Sequence, residues 1–65
     1  MILRLCLKDK TSVLVKYISL VALVEEFNRT QFIFIENVAT GKMEAYNRDY
    51  IWAIRISSQE EDKHM

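Results

Sequence analysis

The sequence predicts an all-β domain of five short strands rolled into a small barrel, with one segment near residues 19–28 that also reads as a short helix. Three observations predict it. Leu3, Leu5 and Leu7 alternate with Arg4, Cys6 and Lys8, and a period of two marks a half-buried strand. Apolar runs recur along the chain between short clusters of Lys, Asp, Asn, Thr and Gly, which is the punctuation of hairpins. Finally, 65 residues give room for a single core. Five strands in so short a chain must cover their own faces and edges, and a strongly curved sheet does this where a flat one does not.

The first strand is expected to end in the polar cluster Lys8-Asp9-Lys10-Thr11-Ser12, a hairpin turn. Val13, Leu14, Val15, Tyr17 and Ile18 then resume the β-branched and aromatic composition of a second strand. The next segment supports two readings. Leu20, Leu23, Val24 and Phe27 fall at i, i+3, i+4 and i+7 behind Ser19, a good N-cap, so a short helix satisfies the pattern. The segment also follows the second strand without Gly or Pro and is rich in β-branched and small residues, and on that ground a long bent strand is favoured.

Phe32, Phe34 and Asn37 against Ile33, Ile35 and Val38 make a third strand that is apolar on both faces for most of its length, so it is expected to be central or covered. Gly41, the only glycine, is placed to supply a positive φ in the following hairpin turn. A fourth strand over residues 42–46, a turn at Asn47-Arg48-Asp49 and a fifth strand over residues 50–56 complete the set. The domain is therefore assigned to residues 1–56. Residues 57–65, with Glu60, Glu61 and Asp62 and no apolar periodicity, read as a disordered acidic tail.

Composition narrows the function. Nine basic residues balance nine acidic ones, and no run of Lys or Arg gives the clustered footprint of a dedicated nucleic-acid binder. One glycine excludes a glycine-rich phosphate loop. A nucleophile–base pair needs a Ser or Cys near a His, and the only histidine, His64, lies in the tail. Glu25 and Glu26, adjacent on a strand, would point to opposite faces and form no acid–base pair. The reading is a non-enzymatic protein without a cofactor.

Cys6 has no disulfide partner within the chain, and a metal would have to join it to His64 at the far end. Self-association is the staple left for so small a core. With 51% apolar residues, some apolar surface must face a partner. The longest apolar region, residues 13–24, is broken by Lys16 and Ser19 and is too short to span a bilayer. The lone thiol and the lack of a leader pattern point to a cytoplasmic protein.

Two stretches carry a family resemblance. Residues 27–38, Phe27-Asn28-Arg29-Thr30-Gln31-Phe32-Ile33-Phe34-Ile35-Glu36-Asn37-Val38, resemble the second half of the first Sm motif, and residues 46–54, from Tyr46 to Ile54, are similar in spacing to the second. The resemblance implies a small five-stranded barrel of the SH3-like or Sm-like type, and the spacing is also similar to that of YolD-like and Rho-inhibitor-type barrels. Phe32 stands where the Sm family places a base-contacting Asn, with Gln31 one step earlier, and Asn47-Arg48 replaces the family's Arg-Gly pair.

These departures rank a protein-binding regulator, acting as a homo-oligomer, above an Sm-like RNA binder. The candidate binding residues are Gln31, Phe32, Tyr46, Arg48, Tyr50, Trp52 and Arg55, because aromatics and arginine serve both protein interfaces and base stacking. Truncation after Ser57 is expected to leave the thermal midpoint within a few degrees, and a scanning calorimetry comparison of the two chains checks it.

Overall fold

The structure is a computed structural model that describes residues 1–57. Apart from Ser57, the expected acidic tail lies outside the described residues. Five strands, β1 (Ile2–Leu7), β2 (Ser12–Lys16), β3 (Phe32–Asn37), β4 (Met43–Asn47) and β5 (Ile51–Ile56), form one antiparallel sheet in the order β4-β3-β2-β1-β5. A helix, α1 (Leu20–Arg29), joins β2 to β3, and a 3-10 turn, Arg48–Tyr50, joins β4 to β5.

Alternation in β1 sends Leu3 and Leu5 into the core, where both are fully buried. Their cross-strand partners lie on the same face: Val15 opposite Leu3, and Val13 and Ile54 opposite Leu5. Ile33 and Ile35 from β3 and Leu23 and Phe27 from α1 complete the core. Each of these large side chains stabilises the fold by roughly 1.5–3 kcal/mol on burial.

The ambiguous segment is a helix, so the favoured bent strand is corrected. Ser19 leaves β2 in an extended conformation, and its hydroxyl accepts the Ala22 N–H at 3.0 Å, which satisfies a donor that a helix start leaves open. The i, i+3, i+4, i+7 stripe then turns Leu23 and Phe27 onto the sheet. Thr30 closes the helix by donating its N–H to the Glu26 carbonyl at 3.0 Å. Glu26 and Arg29 form an ion pair on the outer surface of α1 rather than lying on a strand end.

The sheet rolls without closing into a barrel. Its end strands, β4 and β5, share no register of hydrogen bonds among the described residues. β2 and β3 pair only at Val15–Asn37 and Lys16–Glu36, so they splay where the helix leaves the sheet, and α1 packs against both β3 and β5. The third strand, expected to be central or covered, is central, paired with β2 and β4, but Phe32 and Phe34 are 57% and 71% exposed on the outer face. Among the described residues nothing lies over that face, because α1 packs on the other side.

Both sharp turns use a positive φ. Gly41 has φ +71°, as its place in the sequence implies, and Lys10 adopts φ 73° between β1 and β2. Asp9 compensates there: its Oδ1 accepts the Thr11 N–H at 3.0 Å and the Thr11 hydroxyl at 2.6 Å. Among the described residues no helix is long and apolar enough to cross a membrane.

Because the helix start and its buried stripe hold α1 in place, both are sensitive positions. Ser19→Ala is expected to cost about 1 kcal/mol and Leu23→Ala about 2–5 kcal/mol, read as shifts of the urea midpoint.

Candidate functional site

The seven candidate residues fall into three groups. Tyr46 faces the core side of β4, where its hydroxyl donates to Glu44 Oε1 at 2.7 Å and accepts from Asn37 Nδ2 at 3.1 Å. Asn37 Nδ2 also donates to Glu44 Oε1 at 3.0 Å. These two donors hold the Glu44 carboxyl below the usual carboxylate range, the tyrosine bond being the larger cause. The Tyr46 phenol is pushed up, first by burial and then by the neighbouring carboxylate.

Asn37 is the hub that sequence reasoning missed. Its Oδ1 accepts the Ala39 N–H at 2.8 Å and the Thr40 N–H at 3.3 Å, so one side chain ties the β3–β4 turn to Glu44 and Tyr46. The only signal in the sequence was an Asn at the end of an apolar strand, a residue type that bonds to its own turn.

Gln31 and Arg48 join the helix exit to the 3-10 turn. Gln31 Nε2 donates to Asn47 Oδ1 at 2.6 Å, and the Arg48 N–H donates to the Gln31 carbonyl at 2.9 Å. Arg48 Nη1 donates to the Phe27 carbonyl at 3.1 Å, so its positive charge sits by the negative end of α1. Both side chains are thereby committed to holding α1, β4 and β5 together.

Phe32, Tyr50, Trp52 and Arg55 are the candidates that present large surfaces. Phe32 and Tyr50 line a groove of about 570 Å³, with Leu7 and Asp9 on one side and Ala45, Tyr46 and Asn47 on the other. The groove lies where the two ends of the rolled sheet approach without pairing, and the Lys8 N–H, donating to the Tyr50 carbonyl at 2.8 Å, fixes its floor. At its edge the Thr11 hydroxyl and N–H hold the Asp9 carboxyl below its ordinary pKa.

Trp52 is placed by a β-bulge. Leu7 pairs with Ile51 and Cys6 with Ala53, so Trp52 is the extra residue of β5 and leaves the in-and-out alternation. It stands 61% exposed at the rim of the sheet, lining a groove of about 270 Å³ with Val24, Phe27 and Arg48 on the helix side. The Arg55 guanidinium lies 5.8 Å from the indole centroid, within cation–π range. Period-two reading of β5 could not reveal the bulge.

Tyr46 is tied into an inner network and also lines the groove of Phe32 and Tyr50, while Trp52 stands with Arg55 at the β5 rim. Cys6 is a half-buried free thiol on the outer face of β1. Among the described residues no cluster of three or more His, Cys, Asp or Glu side chains is arranged to hold a metal ion. Compared with known proteins, the chain matches no family model, no curated protein and no solved structure.

Proposed function

We propose that the protein is a non-enzymatic binding module that acts through protein contacts and works as a homo-oligomer joined at the free edges of its sheet. The observation that carries this reading is β4. It pairs with β3 on one side, and among the described residues its other side has no strand against it. Natural edge strands are usually blunted by proline, by outward lysine or by a bulge. β4 has a continuous register with β3, contains neither Pro nor Lys, and turns its one acid, Glu44, onto Tyr46 and Asn37.

The second edge, β5, is bulged only at Trp52, and its ladder with β1 is regular from Ala53 to Ile56. Apolar side chains accompany both edges: Met43 on β4 is 63% exposed, and Ile56 on β5 is 49% exposed. Among the described residues, ten exposed large hydrophobic side chains stand against seven in the core. Pairing an edge with a second copy would satisfy backbone groups and bury part of this surface, each large side chain contributing roughly 1.5–3 kcal/mol before association costs are subtracted. Five antiparallel strands with β1 paired on both sides also favour the SH3-like or Sm-like reading of the fold, in a cytoplasmic regulator whose further partner is a protein.

Sedimentation equilibrium of the full chain at micromolar concentration is expected to report a dimer or a larger ring. Met43→Lys, which places a charge on the β4 edge, and Trp52→Ala, which removes the β5 rim, are each expected to shift the distribution toward monomer. A stable monomer that persists as concentration rises would contradict the proposal.

A further inference from the structure

A second surface lies on the outer face of the sheet and meets the β5 edge at Trp52. Arg4 and Arg55 are direct cross-strand partners in β1 and β5, and because Leu3 and Leu5 point inward, both arginines point outward. Like charges directly opposite one another on a sheet are destabilising. Elsewhere on this face the opposite arrangement occurs, with Lys16 facing Glu36 across β2 and β3. No described carboxylate pairs with Arg4 or Arg55. Arg4 Nη1 donates to the Ser12 hydroxyl at 3.0 Å, and Arg55 lies over Trp52.

Beside the two arginines is a concavity of about 330 Å³, lined by Arg4, Cys6, Lys10, Thr11, Ser12 and Trp52. Its floor is made of small side chains, Cys6 and its cross-strand partner Ser12. Its rim supplies cations and an exposed indole brought there by the bulge. Asp9, in the same turn as Lys10, does not line it and is held by Thr11.

We propose that this face binds a single strand of nucleic acid, with a base stacked on Trp52 and phosphates held by Arg4, Arg55 and Lys10. Charge complementarity selects an anion, and the indole selects an anion that carries flat aromatic groups, since base–aromatic stacking with cationic backbone contacts is how single strands are held without sequence preference. An acidic peptide would satisfy the cations and leave the indole unused. Two arginines kept in repulsion are the cost in stability that a phosphate removes. The Arg4 and Arg55 side chains stand off the sheet face rather than in its plane, so pairing at the β4 edge leaves the site accessible.

Trp52 is the only tryptophan, so its emission reports on the site directly. The full chain is titrated at low salt with an oligothymidylate of about ten nucleotides, and quenching that weakens as salt rises is expected. Arg4→Gln and Arg55→Gln are each expected to flatten the log–log salt dependence by about 0.7. Trp52→Ala, followed by the anisotropy of a labelled strand, is expected to weaken binding about tenfold. Arg55→Gln is also expected to leave the sedimentation profile unchanged and the thermal midpoint equal or higher, which separates this site from the edge contacts. No quenching, or quenching that survives the double arginine substitution, would overturn the proposal. Equal competition by polyglutamate would overturn it too, and would assign the face to an acidic protein.

Discussion

One short helix has to finish the core of a sheet that does not close, and the rest of the structure follows from how it does so. Leu3 and Leu5 in β1 are fully buried because neighbouring strands stand on both sides of β1 and because Leu23 and Phe27 of α1 close the same core. To admit the helix, β2 and β3 part after two cross-strand pairs. Ten residues reach from β3 to β5 and no further. The inner face is therefore complete, the outer face is bare, and the two end strands stay apart.

That division explains where polar groups are spent. The ends of the roll are held by local ties: Asn37 with Glu44 and Tyr46 under one turn, and Gln31 and Arg48 between the helix exit and the 3-10 turn. These bonds satisfy buried or half-buried groups that would otherwise cost about 1–3 kcal/mol each. The residues that remain exposed, Met43, Trp52, Arg4 and Arg55 among them, stabilise the fold little. Their proposed uses, edge pairing and capture of an anionic strand, occupy different directions from the same sheet.

Much of this architecture was legible in the sequence. The leucine alternation located β1 and its buried face, and Gly41 located the β3–β4 turn, because those signals depend on local geometry alone. The 19–28 segment was harder, since β-branched composition argued for strand while spacing argued for helix; the Ser19 cap and the burial of Leu23 and Phe27 decided it. The site was less legible. Arg48 and Tyr46 carry functional-looking side chains, but contacts with Phe27, Asn37 and Glu44, distant in sequence or across a strand, commit them to the fold. The reverse holds for Arg4, which looked like the polar half of an alternation until the register set it opposite Arg55. Trp52 owes its exposure to a bulge, and a bulge is a property of a strand pair rather than of a strand.

The central claim is that a roll left open at β4 and β5 is completed by another copy of the chain. Hydrogen–deuterium exchange of the full chain, followed residue by residue at two protein concentrations, tests it at the backbone groups concerned. The outward amides of β4 or β5 are predicted to gain protection as concentration rises, while those of β1, already paired on both sides, stay constant. Edge amides that exchange at one rate at every concentration would contradict the account.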